Sequence, residues 1–505
     1  MSRDQNIDSQ VQEIMRPPRA LLSRSPLRWF RFFGPGAVMA SLNIGSGEIL
    51  FPSRSAAIFG YRVLWVFLLV ALLKWVLAYT SMRHMVISGA HPYERWQFLP
   101  GPRGWLPLFV VALGFLAMPI WNSFFLGIIG TICSWILGFG SHYVWATVCV
   151  GLALVLLAIG GYNLLEKIQV SVLAIMLVCI LISVFYVRPD WLAVLKGLVL
   201  PQALSYPEWL FEKLPNMRDR SVLIEISVYM AAIGGMGYDY LGYLAFIREK
   251  RWGRSALGTA NPEELAQIAA RQDHPARVWV KAALIDTIVS FSMIVLIAVC
   301  FAVLGKIILQ PQQLVPNGVD LLNYQAEFLT TLAPWLLPLY KLAIFLSFFG
   351  SLYASPEISF HIFNEYVATL KRFRGRINTK KLRWGVILWN LLGANLLLWL
   401  SSYFTELDLI DIATPPGIYA GVLLAGFYCF ANLWTDFCFF PPELRMSKGL
   451  MGANVLGGVL FSVGGLWMLW DYDQTRALMV LVLLLILSMF LASRLKFLYL
   501  SKSSS

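Results

Sequence analysis

Charge is scarce in this chain. Asp, Glu, Lys and Arg make up 13% of its 505 residues, against roughly 25% in soluble domains. With 58% hydrophobic residues and a mean hydropathy of +0.67, a water-soluble enzyme or binding module is excluded. Cysteine is sparse too: six residues, at 133, 149, 179, 300, 429 and 438, each within or beside an apolar run and with no CxxC pair. This excludes a disulfide framework or a zinc site and leaves small apolar packing residues. There is no nucleotide-binding loop, no His/Cys cluster and no Ser-His-Asp constellation. Those absences argue against ATP-driven pumping and against an integral-membrane enzyme. The first 32 residues are polar and basic and lack the short apolar core of a cleavable signal peptide.

What the chain has is long apolar runs. A span needs roughly 20 apolar residues. On that measure about twelve segments qualify: 33–58, 61–82, 105–137, 143–160, 164–187, 222–247, 276–305, 335–370, 382–402, 415–439, 450–470 and 476–497. The basic residues sit in the N-terminal tail and in the loops after spans 2, 6 and 8. The loop after span 8 carries Lys371, Arg372, Arg374, Arg376, Lys380, Lys381 and Arg383 with no acid among them. The loops after spans 9 and 11 carry Glu406, Asp408, Asp411, Asp471 and Asp473 instead. With twelve spans, every basic cluster falls on one side, which the positive-inside rule makes the cytoplasm. Both termini are then cytoplasmic, in a plasma membrane (the inner membrane if the source is bacterial). The net charge of +12 is therefore a topology signal. No stretch is long enough for a basic nucleic-acid-binding domain.

Two spans are interrupted. Span 1 contains N-I-G-S-G-E, from Asn43 to Glu48, and span 6 contains G-G-M-G-Y-D-Y, from Gly234 to Tyr240. Glycine in a helix interior costs roughly 1 kcal/mol relative to alanine. A carboxylate at the bilayer centre costs at least about 2.5–3.5 kcal/mol. Both spans place the two together near their middle, so both are expected to be broken helices, with unwound backbone buried in protein or facing a wet cavity. Pro52 fits the first turn of a second half-helix beginning near Ile49.

Broken spans in first and sixth place imply two repeats of five spans, 33–187 and 222–439, between a cytoplasmic tail (1–32) and two further helices (450–497). Five is odd, so the second repeat enters the bilayer inverted. Inverted repeats with discontinuous helices meeting at the midplane are the architecture of many secondary transporters. Glu48 and Asp239, freed carbonyls, Ser46 and Asn43 would form an all-oxygen site there, with Gly45, Gly237 and Tyr238 shaping it. Such a set suits Mg²⁺, Mn²⁺, Na⁺ or protons, as transported or coupling ions and not as a resident cofactor. Proximity and desolvation both favour carboxyl protonation, which would permit proton coupling. Tyr238, Tyr240 and Tyr243 add aromatic faces suited to an organic cation. Asn122 in span 3, Tyr240 and Asp286 in span 7 are placed along the cavity or ion route. Lys74 and Lys341 either snorkel or pair internally. Arg54 is read as facing the aqueous end of span 1. Glu357, His361, Asn364 and Glu365 share a helix face and are read as a water-facing stripe near the cytoplasmic end.

The stretch GPGAVMASLNIGSGEILFPSRSAAIFGYRVLWV (34–66) resembles the first two spans of the NRAMP family (natural resistance-associated macrophage proteins) of divalent-metal transporters. That family opens on a Gly-Pro, places D-P-G-N in its broken first helix and continues to GY-x-LLWV. AAIGGMGYDYLGYL (231–244), LIDTIVSF (284–291) and KGLMGANVLG (448–457) resemble its sixth, seventh and eleventh helical regions. The resemblance implies an all-α, LeuT-like 5+5 inverted repeat with helices 1 and 6 broken. At the site the chain departs from the family. The family's metal-binding aspartate falls on Gly45 and its asparagine on Glu48. Its Met-Pro-His falls on Tyr238, Asp239 and Tyr240, so the soft thioether ligand is lost and two carboxylates, Glu48 and Asp239, become the metal ligands. The acids of the family's third helix are missing, and Asn122 and Ser123 stand in span 3.

Three functions follow as expectations: a secondary transporter of a divalent cation, favoured by the resemblance; a Na⁺- or H⁺-coupled transporter of a small organic solute, favoured by the lost metal motif and the tyrosines; and a non-transporting membrane sensor, disfavoured by the lack of a soluble signalling domain. The partners are a cation or small molecule and the lipid bilayer, without nucleic acid.

Overall fold

A computed structural model describes residues 15–23, 47–159, 162–316, 322–371, 376–402 and 409–495, with the backbone alone over 162–173. Every regular element among them is helical. Those that position the site are α1 (Leu50–Phe59), α2 (Leu64–Ser88), α3 (Trp105–Leu137), α4 (His142–Ile159), α5 (Tyr162–Tyr186), α6 (Trp191–Val199), α7 (Val222–Ala232), α8 (Asp239–Glu249), α9 (Pro275–Leu304), α10 (Leu337–Thr369), α11 (Thr379–Ser401), α12 (Leu409–Pro416), α13 (Leu424–Phe439) and α14 (Lys448–Arg494).

Local chemistry sets the ends of these helices. Ser221 opens α7 by accepting the amide of Ile224, and Asn378 opens α11 by accepting those of Lys380 and Lys381. Such side-chain oxygens satisfy the amides that a helix N-terminus leaves unpaired. Pro275, the first residue of α9, loses nothing by lacking an N–H there. α5 and α6 meet at 114°, so α6 turns sharply out of the direction of α5. α14 runs through 47 residues but leaves helical geometry at Asp473 and Gln474, between the expected spans 450–470 and 476–497.

Among the described residues, eight helical stretches are long and apolar enough to cross a membrane, or nine with the bent α5–α6 pair. The chain is a multi-pass membrane protein. α2 packs on α9, α3 on α10 and α11, and α13 on α14. Leucine, valine and aromatic side chains of α4, α5 and α14 face outward (Val155, Phe185, Trp467 and Leu483 among them), as a lipid-facing surface requires.

Span 6 is two helices. α7 ends at Ala232, α8 starts at Asp239, and Gly234 and Gly235 between them have φ of +74° and +87°. Residues with a Cβ avoid that region, so the glycines permit the break. In span 1, α1 starts at Leu50 after a turn at Gly47–Ile49. Asn43, Gly45 and Ser46 lie outside the described residues. Pro52 sits in the first turn of α1.

Candidate functional site

The turn before α1 touches the end of α7. A Cβ on Gly47 would lie 2.5 Å from the carbonyl oxygen of Ala232, so only glycine lets the end of α7 approach so closely. One residue later, Glu48 is fully buried. Its Oε1 accepts the amide of Gly234 at 3.0 Å, while Oε2 is buried without a hydrogen-bond partner among the described residues. Asp239 opens α8 and accepts the amide of Met236 at 2.9 Å. It is partly exposed, unlike Glu48.

The freed carbonyls of the α7–α8 break are occupied. Lys74, on α2 and fully buried, donates from Nζ to the carbonyl oxygens of Met230 at 2.7 Å, Ala231 at 2.9 Å, Ile233 at 2.9 Å and Gly235 at 2.6 Å. Tyr240 donates its hydroxyl to the carbonyl of Gly234 at 2.5 Å. The carbonyls of Tyr229, Ala232 and Met236 accept the amides of Ile233, Gly235 and Asp239. Every carbonyl from Tyr229 to Met236 thus has a protein donor, which answers the requirement that buried backbone groups be paired. Lys74 does not snorkel. Its charge lies in the field of both Glu48 and Asp239.

The remaining expected residues are placed as follows. Gly237 packs against the backbone of Ala425 on α13, and the buried ring of Tyr238 lies over Gly114 of α3. The ring of Tyr240 stacks on Phe291 of α9 with centroids 6.3 Å apart. Asn122 is buried and donates to Asn390 of α11 at 3.2 Å. Asp286 is buried on α9 and accepts the hydroxyl of Tyr243.

Two charged clusters flank the breaks. On the α1–α7 side, Arg54 and Arg220 both hold Glu225, at 2.7 and 2.6 Å, and Arg220 reaches Asp411 of α12 at 2.6 Å. Arg54 therefore faces a buried cluster and not an aqueous helix end. On the α8 side, Arg248 pairs with Glu365 at 2.6 Å and Glu94 at 3.2 Å. Glu357 pairs with Arg383, and His361 lies 3.9 Å from Glu249. Two members of the polar stripe on α10, Glu357 and Glu365, are thus engaged in ion pairs. Between the breaks and the Arg54 cluster, Phe51 stacks on Phe124 at 5.9 Å and tilts against Tyr229 at 5.8 Å, an aromatic layer that excludes water.

Sequence reasoning missed the Arg54–Glu225–Arg220–Asp411 cluster and the carbonyls held by Lys74. For Lys74 a signal existed: an ammonium in the middle of a span must be paired. For the cluster none did, since Arg54 and Glu225 are 171 residues apart.

A helical membrane protein with a span broken at its centre, a buried carboxylate at the break and ion-pair clusters beside it has the design of a secondary transporter. Residues 36–410 match the profile of the family described as natural resistance-associated macrophage protein-like, and the chain belongs to that family. A mutant of the Eremococcus coleocola manganese transporter superposes with a TM-score of 0.63 at 15% identity, covering 92% of this chain and 95% of that one. The same transporter in complex with an aromatic bis-isothiourea substituted compound gives 0.61 at 14% identity, with the same coverage. Mhp1 in its inward-facing conformation gives 0.51 at 14% identity, covering 92% of each chain. The fold is the LeuT-like one these structures share. Among the curated proteins, none matches the chain.

Proposed function

We propose that this protein is a secondary active transporter of a divalent metal cation, bound where the two breaks meet. Family membership supports the reading, as does the likeness to the Eremococcus coleocola manganese transporter. The observation that carries it is Glu48: a carboxylate buried at the break with one oxygen held by the Gly234 amide and the other without a partner among the described residues. A buried carboxylate oxygen left unpaired is costly unless a cation or a proton meets it. Asp239 supplies the second carboxylate, and Asn43 and Ser46 complete an oxygen set suited to hard cations. The two carboxylates also serve as proton carriers. The five-helix halves are 33–187 and 222–439, and both termini face the cytoplasm. The side of Arg54 is then external and that of Arg248 internal.

Uptake of Mn²⁺ into proteoliposomes tests this. Wild type is expected to accumulate the ion with a parallel change in internal pH, and Glu48→Gln and Asp239→Asn to lose accumulation. Equal uptake by all three would refute the site, and no uptake by wild type would refute the substrate.

The second reading, an ion-coupled transporter of a small organic solute, is favoured by one observation. Among the described residues, no three His, Cys, Asp or Glu side chains gather as a metal would require. An amine-bearing solute that raises the melting temperature where Mn²⁺ does not would promote it.

A further inference from the structure

Four carbonyl oxygens, two from the last turn of α7 (Met230, Ala231) and two from the unwound residues after it (Ile233, Gly235), lie 2.6–2.9 Å from a single point. That arrangement is the oxygen shell of a cation. In transporters built on discontinuous helices, unwound carbonyls of this kind take the coupling ion. Here the point is the ammonium nitrogen of Lys74. We propose that Lys74 is a tethered cation filling an ion site made by the α7–α8 break, so that this position is served from within the chain and takes no free sodium.

Three features support this beyond the distances. The side chain comes from a different helix, α2, so the pairing is tertiary and not a local turn. An ammonium has three N–H donors, and here they are shared among four oxygens, so its donor capacity is fully used within the break. The left-handed backbone of Gly234 and Gly235 places the carbonyls of Ile233 and Gly235 on this one nitrogen, while the Gly234 amide turns to Glu48. The break therefore presents its carbonyls to a positive charge and an amide to a negative one. The proposal stands whichever cargo the carboxylates hold.

A lysine that merely ties α2 to the break would show the same bonds. The two roles differ in what happens when the side chain is removed. In Lys74→Ala the tether is gone, but a cation site would remain as an open space lined by carbonyls. The test is the melting temperature of the purified full chain in sodium, methylammonium or choline chloride at equal ionic strength. Wild type is expected to melt at the same temperature in all three. Lys74→Ala is expected to melt lower in choline and to recover most of the loss, saturably, in methylammonium or sodium, since native-state ligands raise stability. Choline is too bulky for the space left by a lysine side chain. A saturable sodium-dependent rise in wild type would overturn the proposal, as would a Lys74→Ala loss that no small cation restores. Should Lys74→Ala fail to fold without an added cation, it is prepared with methylammonium present throughout; folding restored by methylammonium and not by choline supports the proposal, and no restoration overturns it. Mn²⁺ stabilisation of wild type is scored separately, so failure of the metal reading leaves this result intact.

Discussion

Arg54 Nε and Glu225 Oε1 lie 2.7 Å apart, joining α1 to α7, with both side chains buried. Each of these half-helices ends or begins at a break. The pair therefore holds together the two elements that would have to part for the site to open on that side. Arg220 doubles the clamp on Glu225 and extends it to Asp411. On the other side, Arg248 joins α8 to α10 through Glu365.

Breaking the first clamp should be expensive. Glu225→Gln takes from buried Arg54 and from Arg220 the carboxylate they share, and removal of one member of a buried pair costs about 3–5 kcal/mol. Thermal unfolding in detergent is expected to show a large fall in melting temperature. The double substitution Arg54→Met with Glu225→Leu should cost less than the sum of the single changes, because the two residues share one network.

Metal binding gives a second expectation. At a free concentration 100 times its Kd, a ligand of the native state adds about 2.7 kcal/mol of stability. Mn²⁺ titrated into the purified protein should raise its melting temperature, and Glu48→Gln should abolish the rise. An equal rise in the mutant would move the metal elsewhere.

Gly47→Ala tests the contact between the breaks. The new Cβ would lie 2.5 Å from the Ala232 oxygen and 2.8 Å from its carbonyl carbon. Both are backbone atoms that no rotamer change can move. Overpacking of this kind costs about 1–3 kcal/mol, read as a lower melting temperature. Adding Ala232→Gly should not restore it, since the main clash is with the backbone.

His274 predicts a pH effect. It caps α9, with Nδ1 accepting the amide of Ala276 at 3.2 Å. Burial first, then the charges of Arg271 and Arg254, pushes the imidazole below its ordinary value of 6.5, with Asp273 opposing. The native state thus holds it neutral, and the unfolded chain takes up the proton first on acidification. Its contribution is complete above pH 6.5 and is lost as pH falls from there toward the lowered native value. The melting temperature should drop between pH 7 and 5, and His274→Asn, which keeps a capping acceptor, should flatten that part of the profile.

The sequence made the breaks legible because their local cost is visible residue by residue: Gly234 and Gly235 with Asp239 four residues on, Gly47 beside Glu48. It also carried the family resemblance, through the Gly-Pro at 34–35 and FGYRVLWV at 59–66. Lys74 appeared as a charge in mid-span that needed a partner, but nothing in the order of residues said which. The cluster on Glu225 was hidden altogether, because its members come from segments before, within and after span 6.

Composition and hydropathy alone determined that the chain lives in a membrane, since that follows from transfer free energies summed along the chain. Only the tertiary structure decided who satisfies the interrupted backbone. Hydrogen bonds to unwound carbonyls act over about 3 Å, and the donor that reaches them, Lys74, stands 156 residues earlier in the sequence than the first of them.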